Sequence, residues 1–192
     1  GSEMCIRDSY GGTLMKQLKE KVAIVTGAGQ GIGKGIALCL AKRGVKVIAT
    51  GRRAEPIEQT IAEIRELGGE GFAMTCDSAD RARVEEVVKA AAEKYGTVDV
   101  VVNNAQAIVP SAPVEETSYD NMLKAWQSGV IGSLNYMQAA FPYMKEQHEG
   151  RIINFASATG MFGIAGQLAY GSNKEASVSY THLRAHETSL HL

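Results

Sequence analysis

From Lys21 onward, short apolar runs alternate with longer stretches whose apolar residues recur at helical spacing. This is the pattern of a parallel sheet covered by helices on both faces. Val22 to Thr26, Val45 to Thr50, Gly71 to Thr75, Val98 to Asn103 and Arg151 to Phe155 are rich in Val and Ile and predict buried strands. Between them Ile57, Ile61, Ile64 and Leu67 form one helical stripe, and Val84, Val87, Val88 and Ala91 another, each predicted to pack on the sheet. A long helix is predicted to start near Thr117, where Thr-x-x-Asp has the form of a capping box, and to run through Met122, Trp126 and Val130 toward Met144. Pro142 is expected to kink or shorten it, and Trp126 and the methionines read as core residues.

Both ends depart from the pattern. Residues 1–14 have no periodicity, and Met15 reads as the natural start of the domain. After Ala176 the stripe that should follow Lys174 dissolves. The string from Val178 to Thr188 and residues 4–9 are similar to translated sequencing-adapter sequence, so the chain is expected to divide into a foreign or disordered leader (1–14), one domain (15–176) and a foreign tail (177–192).

Composition narrows the class. The 192 residues suffice for one domain with a sizeable core. A hydrophobic content of 45% with 21% charged residues is that of a globular chain. Twenty basic against 21 acidic residues leave a net charge of -1, which offers no electrostatic footprint for nucleic acid or an anionic membrane. No apolar run approaches the ~20 residues that span a bilayer, and no signal-peptide core is present. Cys5, Cys39 and Cys76 are widely separated, as in a protein of the reduced cytoplasm. His182 and His186 stand four apart but have no third ligand in a supporting pattern, so no metal site is expected; His148 reads as solvated surface.

The chemistry concentrates at three places. Immediately after the first strand comes Thr26-Gly27-Ala28-Gly29-Gln30-Gly31-Ile32-Gly33, leading into a helix with Ile36, Ala37 and Leu40. Glycines let a turn adopt positive φ and let a phosphate approach the backbone, while the helix N-terminus supplies unpaired N–H groups and a positive dipole. The spacing is T-G-x-x-x-G-x-G rather than G-x-G-x-x-G, since Ile32 and Lys34 stand where a closing glycine would fall. The second strand ends at Gly51-Arg52-Arg53, about 20 residues on, where a binder of NAD places an acidic residue on the ribose. Arg52 or Arg53 can instead pair with a 2′-phosphate, which favours NADP while leaving NAD possible; Gln30 stands where a basic residue would add a second phosphate contact. Finally, Ser157, Tyr170 and Lys174 form a spaced triplet in which the last two share a helix face, and an ammonium beside a phenol favours the ionised phenol.

Thr26 to Gly33, the run Asn103-Asn104-Ala105, and Ser157, Tyr170 and Lys174 together resemble the short-chain dehydrogenase/reductase family, over residues 15 to about 176. The resemblance implies a Rossmann-type doubly wound α/β fold with five strands present and the last strands missing. It implies an NAD(P)-dependent oxidoreductase that moves a hydride between NADP(H) and a carbonyl or secondary alcohol, such as a 3-oxoacyl reductase. Tyr170 is then the acid/base, Ser157 the donor that positions the substrate oxygen, and Lys174 the ribose ligand that favours the tyrosinate. The implied cofactor contacts are Gly27, Gln30, Gly31, Ile32, Gly33, Arg52, Arg53, Asp77, Ser78, Asn103 and Ala105, with Tyr170 and Lys174; Asp77 faces the adenine and Asn103 braces the central strand. The partner is a small-molecule substrate, and a full-length parent is expected to be a homodimer or homotetramer.

Two positions depart from that family. The catalytic asparagine of the long helix falls at position 129, where this chain has Gly129, and Gln106 replaces the usual glycine after Asn-Asn-Ala, crowding or reshaping the nicotinamide pocket. With the fifth strand left as a sheet edge and the Tyr170 helix losing its second half, the chain is expected to be marginally stable and catalytically poor. Two alternatives stay open: an NADP-binding module or inactive fragment without catalysis, and a nucleotide-sugar epimerase or dehydratase, whose glycine spacing T-G-x-x-G-x-x-G is not the one found here.

Overall fold

In the computed structural model, which describes residues 18–189 with side chains through Tyr180, five parallel strands form one sheet. They are β1 (Val22–Thr26), β2 (Lys46–Gly51), β3 (Gly71–Thr75), β4 (Val100–Asn103) and β5 (Arg151–Asn154), in the order β3-β2-β1-β4-β5. The helices between them are α1 (Gly31–Ala41), α2 (Ala54–Glu66), α3 (Arg81–Tyr95), α4 (Tyr119–Trp126), α5 (Gly132–Glu146), the short α6 (Thr159–Phe162) and α7 (Leu168–Ser189).

The two-residue period of the strands sorts their side chains onto two cores. Val22, Ile24 and Ile48 meet Val84, Val87, Val88 and Ala91 of α3 and Tyr136, Ala140 and Met144 of α5. Ala23, Val25, Val47 and Ala49 meet Ala37 and Ala41 of α1 and Ile57, Ile61 and Ile64 of α2 on the opposite face. The sheet is thus doubly wound, as the alternation in the sequence predicts. Strand order reverses between β1 and β4, and a crevice opens at their carboxyl ends, the place where such sheets take ligands.

Several expectations are corrected. Ser118, not Thr117, caps the long helix, its Oγ accepting from the Asn121 N–H at 3.2 Å. That helix is α4 and α5 joined by a wide π turn at Gln127–Ile131, and Pro142 lies inside α5 without ending it. Trp126 is exposed rather than core, because its indole N–H reaches across the surface to Ser172 Oγ at 3.3 Å. Leu67 is exposed too, since it follows the last turn of α2 and the helical period no longer aims it at the sheet. β5 lies at the sheet edge, as expected, but its exposure alternates instead of the strand being buried. The backbone of α7 stays helical for 22 residues instead of ending near Ala176, its second half holding no Gly or Pro to break it. The leader 1–14, its Cys5, and the side chains of His182 and His186 lie outside the described residues. His148 sits just past α5 with φ +56°, a helix-end position.

Candidate active site

The glycine turn is shaped by close packing. A Cβ on Gly33 would lie 2.3 Å from the Gly27 carbonyl oxygen and 2.5 Å from Asn104 Nδ2, so only glycine lets α1 start this near β1. Gly31 has φ +54° and nothing within 4 Å of its missing side chain, leaving its backbone open to the crevice. α1 begins with no side-chain cap on Gln30 and no acidic residue in its first turn. Its free N–H groups and positive dipole end therefore face the crevice uncompensated. Asn104, to which the sequence reading assigned no role, holds this arrangement: its N–H donates to Thr26 Oγ1 (3.0 Å) and its Nδ2 to the Thr26 carbonyl (3.0 Å), while Ala105 N–H donates to the same Oγ1 (2.8 Å).

A cleft of about 660 Å³ runs from this turn to the end of β2. It is lined by Gly27, Gln30, Gly31, Ile32, Arg52, Arg53, Asp77, Ser78 and Ala105, and so gathers most of the cofactor contacts expected from the sequence. Gly33 is buried beneath the turn rather than in the lining. Asn103 is also buried, and its Nδ2 donates to Asn154 Oδ1 at 2.8 Å, tying β4 to β5. Its own Oδ1 is buried without a partner among the described residues. Arg53 Nη2 donates to Gln30 Oε1 at 3.1 Å, so Gln30, itself in the lining, holds an arginine at the mouth of the cleft. Arg52 makes no ion pair among the described residues. Free helix N–H groups beside two exposed guanidiniums form a donor set that fits the phosphates of a dinucleotide.

A second pocket of about 460 Å³ adjoins the first and shares Ile32, Asn104, Gln106 and Ala107 with it. Tyr170 and Lys174 line this pocket, opposite Ile108, Val109 and Pro110. Lys174 is buried; its Nζ donates to the Phe155 carbonyl at 2.9 Å and lies 5.8 Å from the centre of the Tyr170 ring. Burial holds its pKa below the usual lysine value. Ser157 stands just past β5, half-buried, with its Oγ accepting from Thr159 N–H at 3.3 Å, and is not part of the lining. The structure therefore brings Tyr170 and Lys174 together at the pocket and keeps Ser157 beside it.

The two departures meet each other. A Cβ on Gly129 would fall 2.1 Å from Asn173 Oδ1, and the Asn173 amide accepts from Val130 N–H (3.0 Å) while donating to Gln106 Oε1 (2.7 Å). Gln106 is thus bonded to α7 while lining both pockets. In the sequence Asn173 is marked only as an amide inside the stretch between Tyr170 and Lys174. Among the described residues no cluster of His, Cys, Asp and Glu is arranged to hold a metal ion.

A family model described as short chain dehydrogenase matches residues 21–191. A 12alpha-hydroxysteroid dehydrogenase of a Clostridium species is 36% identical over 162 residues, covering 81% of this chain and 62% of that protein. A 3-oxoacyl-acyl-carrier-protein reductase of Thermotoga maritima is 34% identical over 173 residues, covering 89% of this chain and 69% of the relative. The crystal structure of an NAD+-bound xylitol dehydrogenase superposes with a TM-score of 0.87 at 31% identity, covering 90% of this chain and 66% of the other. The chain spans about two thirds of the length of these relatives. With the family match running through the cradle, the sheet and the Tyr170 helix, the chain belongs to the short-chain dehydrogenase family.

Proposed function

We propose that this protein transfers a hydride between NADP(H) and an uncharged carbonyl or secondary alcohol. The observation that carries the reading is the adjacency of the two clefts: the crevice at the glycine turn opens directly into a pocket lined by Tyr170 and Lys174. The cofactor, when bound, supplies or accepts the hydride at the carbonyl carbon. Gly31, Ile32 and the N-terminus of α1 hold its pyrophosphate, Arg52 and Arg53 its 2′-phosphate, and Asp77 and Ser78 its adenine end. Xylitol dehydrogenase is described with NAD+; the preference for NADP here rests on the two arginines where an acidic residue would select the free ribose hydroxyl.

In the reducing direction Tyr170 donates its phenolic proton to the substrate oxygen, and Ser157, which stands beside the pocket with its hydroxyl hydrogen free to turn inward, is the proposed second donor to that oxygen. Lys174 binds the ribose and its charge stabilises the tyrosinate left behind, which solvent reprotonates. Held on the Phe155 carbonyl, the ammonium has little rotational freedom to lose on binding. No acidic residue and no arginine lines the pocket among the described residues, and Ile108, Val109 and Pro110 form one wall. This supports a neutral substrate with apolar surface, in keeping with a 3-oxoacyl or alicyclic carbonyl.

Pairing of two copies through the long helix belongs to the same reading. Tyr119, Leu123 and Trp126 form an exposed apolar stripe along α4. No helix among the described residues is long and apolar enough to cross a membrane. A reduced compartment such as the cytoplasm suits the free Cys39 and Cys76.

Equilibrium titration with NADPH and NADH, followed by addition of a carbonyl panel with cofactor deuterated at the transferable position, tests the proposal. Deuterium at the carbinol carbon supports hydride transfer; tight NADPH binding with no transfer leaves a binding module.

A further inference from the structure

In the helix that faces Tyr170 and Lys174, the side chain at position 129 is missing, and the room it leaves is filled from across the interface. The three atoms nearest a Cβ at Gly129 all belong to the Asn173 carboxamide, at 2.1 to 2.7 Å. Asn173 is fully buried, so this contact is part of the core rather than a surface accident.

Its hydrogen bonds are directional. The wide turn at Gln127–Ile131 leaves the Val130 N–H to Asn173 Oδ1 at 3.0 Å. The Val130 carbonyl is taken from the same helix as Asn173, by Tyr180 OH at 3.4 Å. Asn173 Nδ2 donates to Gln106 Oε1 at 2.7 Å, and Gln106 Nε2 donates onward to the Ala125 carbonyl at 3.3 Å. Ser128 Oγ closes the circuit by accepting from Ala107 N–H at 2.9 Å and donating to the Lys124 carbonyl at 2.9 Å. One chain of amides therefore joins α7, the wide turn, and the loop after β4 that floors both clefts.

We propose that the Gln106–Asn173 carboxamide pair stands in for a side chain at position 129, fixing the wide turn and the loop after β4 against the helix that carries Tyr170 and Lys174. Asn173 is then a positioning residue, with Gln106 as its partner; the role toward cofactor and substrate rests on the proposed function above. Glycine at 129, asparagine at 173 and glutamine at 106 form one unit, because Asn173 needs both the room at 129 and the acceptor on Gln106. A side chain at 129 collides with Asn173, and an asparagine at 173 without Gln106 buries an unpaired amide N–H.

Sign reversal in thermal unfolding tests the pairing without any appeal to catalysis. Gly129→Ala should lower the unfolding midpoint in the natural chain, where its Cβ meets Asn173, and raise it in an Asn173→Ala background, where the Cβ refills the vacated space and alanine favours helix. If Gly129→Ala shifts the midpoint in the same direction in both backgrounds, the pairing is refuted.

Positioning is separated from mere packing by moving the amide back. Gly129→Asn with Asn173→Ala should bind NADPH, followed by nicotinamide fluorescence, within about threefold of the natural chain, whereas Gly129→Leu with Asn173→Ala should bind at least about tenfold more weakly. Equal affinities in the two double variants overturn the positioning role. Absence of NADPH binding by the natural chain itself overturns the proposed function instead. The unfolding midpoints of the two double variants then still decide the inference: the one carrying Gly129→Asn melts higher than the one carrying Gly129→Leu if the amide matters, and equal midpoints refute it.

Discussion

Lys174 donates its ammonium to the carbonyl of Phe155 across 2.9 Å, pinning α7 to the end of β5. The hydrogen bond does not fully replace lost hydration, and burial lowers the Lys174 pKa from its ordinary value of 10.5. In the unfolded chain the same group titrates near 10.5, so between the folded and unfolded values the unfolded state binds more protons and stability rises with pH. The destabilisation is full below the folded pKa and is relieved above the unfolded one. Relative to Lys174→Met, the natural chain should therefore gain stability as pH rises through the lowered folded value toward 10.5. Urea unfolding of the two proteins across that range checks the sign; a parallel pH dependence contradicts it.

Asp99 anchors the start of β1. Its Oδ2 accepts from Val22 N–H at 2.8 Å and its Oδ1 from Lys21 Nζ at 3.1 Å, and the residue is buried. Asp99→Ala strands a buried backbone donor and should cost about 1–3 kcal/mol, with Asp99→Asn costing less because an acceptor remains. Equilibrium denaturation gives both values, and equal losses would show that the acceptor is irrelevant.

Arg52 and Arg53 line the cleft that opens at the glycine turn. Arg52→Ala/Arg53→Ala should weaken NADPH binding by about 10- to 100-fold, the worth of a charge-assisted contact, and leave NADH binding nearly unchanged. Gln30→Ala should weaken NADPH binding less, by releasing the hydrogen bond that orients Arg53. Fluorescence titration reads all three, and an unchanged ratio of NADPH to NADH affinity in the double variant removes the basis for the NADP preference.

Gly33→Ala puts a Cβ 2.3 Å from the Gly27 carbonyl, against backbone that cannot swing aside. Dinucleotide binding should be lost and stability reduced, detectable by calorimetric titration beside a thermal melt. Binding at the natural affinity would show that the glycine turn does not form the cradle.

The scaffold was legible because its signals are local and repeated. Alternation along Val22–Thr26 sorts side chains onto two cores, and the stripes Val84, Val87, Val88, Ala91 and Ile57, Ile61, Ile64 supply the helices that cover them. Spacing alone put Tyr170 beside Lys174 and the glycine turn at the head of α1. Hidden from the sequence were relations between distant residues: that Asn104 bonds to Thr26, that Gln30 orients Arg53, and that Asn173 fills the room left by Gly129. Trp126 misled for a related reason. Size argues for burial, yet the period of α4 and the Ser172 hydroxyl hold the ring at the surface.

On the proposed function, Tyr170 is the proton donor for hydride transfer in the pocket beside the cleft at the glycine turn. Single-turnover loss of NADPH absorbance after mixing with a neutral ketone, compared between the natural chain and Tyr170→Phe, tests it most directly. Both proteins should bind NADPH with similar affinity, and the natural chain should oxidise it, slowly, at a rate that falls about 100- to 10,000-fold in Tyr170→Phe. Oxidation at equal rates in the two proteins, or none in the natural chain, would contradict it.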